Sequence, residues 1–140
     1  MLQAHSQKIT LLFNRGEVTM PTGVGTDIIE IPRIKQAIER QGQPFIDRLF
    51  TQAEQTYCKT FKDPYSHYAV RFAGKEAVLK ALGTGMREGI TWLDIEIINN
   101  DLGKPIVFIS DALKERFSSP EIQISLSHSK STAIAFVIVS

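Results

Sequence analysis

Cysteine is all but missing from this chain: Cys58 stands alone, so no intramolecular disulfide can form, and no Cys/His spacing suits a structural zinc ion. An excess of charge of either sign is missing too. With 16 basic and 15 acidic residues the net charge is +1, which argues against bulk attraction to nucleic acid or membrane and leaves any charged partner to a local patch. No run of 18 apolar residues occurs, so no membrane-spanning helix is expected, and the first 20 residues lack the apolar stretch and cleavage site of a secretory signal. A cytoplasmic location is the resulting expectation. Internal repeats and low-complexity tracts are absent, and His5 and His67 read as surface residues.

What is present suffices for one domain: 140 residues at 43% apolar content build a single core. Residues 1–20 read as a leader or disordered extension, leaving 21–140 as the domain. Val24, Ile28, Ile29 and Ile31 predict a strand from Gly23, and Pro32 opens a helix carrying Ile34, Ala37 and Ile38 until Gly42 interrupts. A short helix follows over Phe45 to Phe50. Thr51 and Glu54 have capping-box spacing for the next one, and Asp63-Pro64 starts a long helix to Leu82. The period then changes. Leu93, Ile95 and Ile97 alternate with polar neighbours and form a hairpin with Ile106 to Ile109 across a turn-rich link, with Trp92 as a core anchor. A short helix capped by Ser110 or Asp111 precedes strands at Ile122–Leu126 and Ala133–Val139, the latter reading as the most buried. The class is α+β, with a mainly antiparallel sheet packed on a long helix.

Three places could carry chemistry. Within Arg71-Phe72-Ala73-Gly74-Lys75-Glu76-Ala77-Val78-Leu79-Lys80-Ala81-Leu82-Gly83-Thr84-Gly85, Glu76 and Lys80 share a helix face, and Ala73, Ala77 and Ala81 form a stripe that admits another backbone. Spacing alone equally describes a solvated Glu–Lys pair worth about 0.3–0.5 kcal/mol. Asp27 lies in an otherwise apolar strand flanked by Gly23 and Gly25, so its carboxylate needs a cation, a donor or water, unless strand parity turns it to solvent. Together with Glu76 it would make an oxygen-only site suited to Mg2+. Ser125-Leu126-Ser127-His128 ends an alternating strand in hydroxyls and an imidazole able to donate to phosphate, while no nucleophile-elbow motif is present.

These blocks, with Gly23-Val24-Gly25-Thr26-Asp27-Ile28, Arg33 and Gly103-Lys104-Pro105, resemble the holo-acyl-carrier-protein synthases, the group I 4′-phosphopantetheinyl transferases, over Gly23 to Val139. The resemblance implies a homotrimer with interfacial sites that uses coenzyme A and Mg2+ to modify a serine of apo-acyl carrier protein and releases 3′,5′-ADP. Asp27 and Glu76 match the family's metal carboxylates, and Lys80, Gly83, Thr84 and Gly85 its coenzyme A phosphate contacts. Asp27, Glu76 and Lys80 are then the catalytic set. The base that takes the serine proton is open between Glu76 and a water activated by the ion. Arg71, Lys75, Lys104, Pro105 and His128 are further candidates for the nucleotide, and Arg33, Arg40 and Arg48 for docking an acidic carrier. Glu30, Glu39 and Asp47 intervene, so those arginines form a patch only if they share one face. Gly74 and Ser129 depart from the family's usual residues, and the leader is extra. Two other functions use the same residues: a silent member that docks without transfer, and a Mg2+-dependent nucleotide hydrolase.

Overall fold

The computed structural model describes residues 10–13 and 16–140. Within the segment expected to stand apart, residues 1–9 and 14–15 lie outside the described ones, while β1 (Thr10–Phe13) and β2 (Gly16–Thr19) pair as an antiparallel ribbon with Thr10 opposite Thr19. The rest runs β3 (Gly23–Glu30), α1 (Ile31–Gln41), α2 (Gln43–Leu49), α3 (Gln52–Lys59), α4 (Tyr65–Ala81), β4 (Ile95–Asn99), β5 (Pro105–Ile109), α5 (Asp111–Arg116), β6 (Ile122–His128) and β7 (Thr132–Val139). Every strand pairing is antiparallel among the described residues, so the α+β class holds.

One sheet has the order β3-β7-β6, and β4 pairs with β5 in a separate hairpin. α4 lies across the sheet's inner face. Its alanine stripe makes this possible: Ala73 and Ala77 are fully buried, and a Cβ on Gly23 or Gly25 would collide with the carbonyls of Ala81 or Ala77. The two glycines therefore admit a neighbouring backbone. Gly74 packs between β4 and β6, where an added Cβ would stand 2.5 Å from Ile97 Cδ1 and 3.2 Å from Ile124 Cδ1. The main core joins α4 to Ile95, Ile97, Leu113, Ala135 and Val137, and a second one lies beneath α1 to α3 around Phe50, Cys58 and Tyr68. Burial pushes the Cys58 thiol up to about 12, which fits a packed, unreactive side chain.

Local chemistry sets the boundaries. Thr51 Oγ1 accepts from the Glu54 amide at 3.2 Å while Glu54 Oε1 accepts from the Thr51 amide at 2.9 Å, completing the expected capping box. α4 starts at Tyr65, one residue later than expected, with Pro64 at the cap position, while Asp63 Oδ1 accepts from the Tyr65 amide at 3.1 Å. The strand expected to include Leu93 begins at Ile95: Asp94 Oδ2 accepts from the Thr91 amide at 2.7 Å, folding Trp92–Asp94 into a 3-10 turn that leaves Leu93 outside. Trp92 still anchors this corner, half-buried against Phe72 at 5.0 Å between ring centroids.

β7 corrects a stronger expectation. It is central in its sheet, yet only one of its faces is buried. Ala133, Ala135 and Val137 are sealed against α4 and its neighbours, whereas Ile134 and Phe136 are 42% and 43% exposed. The register aligns Val24 with Ile138, Thr26 with Phe136 and Ile28 with Ile134, so the outer face is apolar along two strands.

Candidate active site

Strand parity puts Asp27 on the same side of β3 as Gly25, toward α4, with its side chain 15% exposed. The sheet's inner face thus carries a carboxylate while Val24 and Ile28 point outward, the reverse of an ordinary amphipathic strand. Close packing of α4 brings Lys80 to it. Lys80 Nζ donates to Asp27 Oδ1 and to the Thr26 carbonyl, both at 3.0 Å. Glu76 lies one turn earlier on α4, and its carboxyl is pushed up by burial and by the negative charge of Asp27, against a smaller opposing pull from Lys80.

Two neighbouring carboxylates, offering only oxygen donors, suit a hard divalent cation that keeps waters and substrate oxygens as its other ligands. Among the described residues no group of three or more His, Cys, Asp and Glu side chains gathers, so a cation held here would take most of its ligands from water and substrate. Asp27 and Glu76 are the residues that fit Mg2+.

Beyond Lys80 the chain leaves α4 through Gly83 (φ 74°), and Lys80, Gly83, Thr84, Gly85 and Arg87 line a hollow of about 460 Å3. Only a residue tolerant of positive φ serves at Gly83. The predicted Gly83-Thr84-Gly85 turn therefore lies beside Lys80, as expected from order along the chain. Arg87 was missed, since its single charge in a loop carries no periodic signal.

Two of the expected nucleotide contacts need correction. Lys75 is fully buried: its Nζ donates to the Leu49 carbonyl at 2.7 Å and the Trp92 carbonyl at 3.0 Å and pairs with Glu54 Oε1 at 2.7 Å. All three of its donors are used. Burial pulls its pKa down while Glu54 opposes, and the second Glu54 oxygen accepts from the Ile97 amide at 3.0 Å. Arg71 is 1% exposed, gives Nε to the Ile97 carbonyl and Nη2 to Asn99 Oδ1, and lies 4.2 Å from the Tyr57 ring centroid. Both are structural cations: Arg71 ties α4 to β4, and Lys75 ties it to α2, α3 and the Trp92 turn with no donor left for a phosphate. Glu54 was legible only as a cap.

The remaining candidates lie elsewhere. His128, at the end of β6, is exposed and its ring centroid stands 5.8 Å from that of His67. His67 is half-buried and stacked on Phe61 at 3.6 Å, not a free surface residue, and its pKa is lowered by burial and by Arg71. Lys104 is exposed in the β4–β5 turn and Pro105 opens β5. Among the described residues no hydrogen bond or ion pair joins His128, Lys104 or Pro105 to Asp27 or Glu76. Arg33 lines a 530 Å3 cleft with Ile28, Glu30 and Phe72, the last one turn from Glu76 on α4. Arg40 is exposed near the end of α1, and Arg48 reaches back 3.4 Å to Gln41 at that end. None of the three arginines has an ion-pair partner among the described residues.

A three-stranded antiparallel sheet crossed by a long helix, holding two carboxylates and a lysine beside a glycine turn, defines a class of transferase. The profile of the 4′-phosphopantetheinyl transferase superfamily matches residues 23–137. Within it, the chain belongs to the holo-acyl-carrier-protein synthases and is a phosphopantetheinyl transferase. It is 53% identical to the holo-[acyl-carrier-protein] synthase of Protochlamydia amoebophila over 86% of this chain and 99% of that one. The synthase structure from Neisseria meningitidis is 35% identical with a TM-score of 0.80, covering 86% of this chain and 99% of that chain. That from Bacillus anthracis, solved in complex with CoA (3′,5′-ADP), is 38% identical with a TM-score of 0.73, covering 86% and 96%.

Proposed function

We propose that this chain transfers 4′-phosphopantetheine from coenzyme A to a serine of an apo-acyl carrier protein, depends on Mg2+ and releases 3′,5′-ADP. The observation that carries the reading is the convergence of Asp27, Glu76 and Lys80 beside the Gly83-Thr84-Gly85 hollow. Bound at Asp27 and Glu76, Mg2+ would polarise a phosphate and neutralise charge on the diphosphate. Lys80 supplies a fixed positive charge where negative charge gathers on the leaving nucleotide, and its long stem lets the ammonium pass from Asp27 to a phosphate oxygen. The serine proton would go to Glu76 or to a water activated by the ion, the two bases that this site can offer. Arg33, beside the Phe72 cleft, with Arg40 and Arg48 along α1 and α2, presents unpaired positive charge to an acidic carrier.

The outer sheet face supports the homotrimer. Val24, Ile28, Ile134 and Phe136 are all more than 40% exposed in the single chain, an apolar surface that another copy would cover. With sites at the subunit boundaries, His128, Lys104 and Pro105 of one protomer would face the Asp27–Glu76 side of the next. A cytoplasmic location goes with the two substrates, and residues 21–140 are the catalytic domain in this reading.

The deciding experiment is a mass measurement on an apo carrier incubated with the protein, coenzyme A and Mg2+. A gain of one phosphopantetheine on the carrier, with 3′,5′-ADP in solution and neither without Mg2+, is the expected result. No gain on any of several carriers would sink the transfer reading, and coenzyme A breakdown without a carrier would point to a hydrolase.

A further inference from the structure

The hollow at the end of α4 is lined by a cation, Arg87, whose side chain no other described residue binds. Of its five lining residues, Lys80 and Arg87 are the charged ones, and both are positive. Lys80 is already held by Asp27 and the Thr26 carbonyl. The Arg87 guanidinium makes no hydrogen bond or ion pair to any other described residue, although its backbone is fixed: its amide donates to the Gly85 carbonyl at 2.9 Å, and its carbonyl accepts from the buried Ile90 at 3.1 Å.

The neighbouring acid is turned away. Glu88 gives its carbonyl to Arg116 Nη2 at 2.9 Å and its carboxylate stands 3.9 Å from Arg116 Nη1, so this clasp on α5 removes negative charge from beside the hollow. Glu88 adopts φ 56° to do so, a conformation that costs a non-glycine residue energy and that the clasp helps to hold. Across the hollow, positions where Gly83 and Gly85 would carry a Cβ have nothing within 4 Å, leaving their backbone open to a ligand. An arginine lining the same hollow as an open glycine turn, with a second cation among the lining residues and no acid among them, matches a phosphate group.

We propose that Arg87 is a phosphate-binding residue for the nucleotide substrate, with Arg116 as the residue that positions its loop. The proposal rests on the transferase reading for the identity of that substrate. Coenzyme A offers the same chemistry twice, in its diphosphate bridge and in its ribose phosphomonoester, and the test separates them.

Calorimetric titration with coenzyme A in Mg2+ buffer compares the wild type, Arg87→Ala and Arg87→Lys, with thermal melting as the check on folding. Loss of a charge-assisted contact predicts an increase of about 10- to 100-fold in Kd and in KM for coenzyme A for Arg87→Ala. The KM for carrier should hold within about twofold, and Arg87→Lys should recover part of the loss by charge alone. Repeating the titrations with 3′-dephospho-coenzyme A assigns the contact. A penalty that persists places Arg87 on the diphosphate, and one that vanishes places it on the ribose phosphate. An Arg87→Ala protein that melts normally and binds coenzyme A as the wild type does at low salt overturns the proposal while leaving transfer intact. A wild type that neither binds coenzyme A nor modifies a carrier overturns both.

Discussion

Asp27 and Glu76 place two acids in one half-buried corner, where burial and the charge of Asp27 make Glu76 harder to ionise, and Lys80 offsets only part of that cost. Because the folded pKa of Glu76 is raised, its charge weakens the metal-free fold above that pKa, and the loss disappears as pH falls through it. Glu76→Gln should therefore abolish transfer yet raise the melting temperature of the metal-free protein at neutral pH, and Mg2+ should stabilise the wild type more than the variant. Melting scans with and without Mg2+ read this, and a variant that melts lower than wild type without metal would remove Glu76 from the repulsive pair. Lys75, one residue earlier, poses the opposite case. Its ion pair with Glu54 is sealed, so Lys75→Met strands a carboxylate with only amide donors, and a cost of about 3–5 kcal/mol is expected in urea unfolding. Adding Glu54→Leu should return a good part of it, because the stranded charge goes too.

At the scale of elements, the site depends on how closely β3 approaches α4. Gly25→Ala would drive a Cβ into the Ala77 carbonyl, and since both partners are backbone neither can yield locally. Separation of strand from helix should cost about 1–3 kcal/mol, the usual range for overpacking, and move Asp27 away from Lys80. Transfer activity should fall more steeply than stability; a variant with a wild-type rate would show that this spacing is not critical. Much of this framework was legible in the sequence: the alanine stripe, Gly23 and Gly25, the Thr51–Glu54 box and the glycine exit all report local geometry, and local geometry is what spacing encodes. Where reading stopped has a physical reason. α4 is packed by the sheet on one side and by β4 and the shorter helices on others, so charged residues that look surface-bound by period, Arg71 and Lys75, are sealed inside. Their acceptors, Glu54, Asn99 and the Leu49 and Trp92 carbonyls, lie 17 to 28 positions from them along the chain, and no periodicity links such groups. β7 was misread for the converse reason: an unbroken apolar run looks the same whether its second face meets its own chain or another surface.

That second face governs the behaviour of the whole molecule. Outer positions of β3 and β7 pair as Val24 with Ile138, Thr26 with Phe136 and Ile28 with Ile134, and β6 adds Gln123, Ser125 and Ser127 beside them. The candidate residues divide in a matching way. Asp27, Glu76, Lys80 and the Gly83 turn gather toward the C-terminal half of α4, whereas His128 stands near His67 toward its other end, and the nine steps from Arg71 to Lys80 alone span about 14 Å of helix axis. If three copies bury their outer faces together, a site assembled from two protomers removes that separation. Phe136→Arg tests this at the centre of the face, where the side chain supports none of the monomer's own core. The wild type should sediment at three times the chain mass and the variant at one, with unchanged far-ultraviolet circular dichroism. Transfer should fall with the assembly, because each site would lose what its neighbour provides. A wild type that sediments as a monomer would end the assembly argument, and a monomeric variant with full activity would mean that one chain holds the whole site.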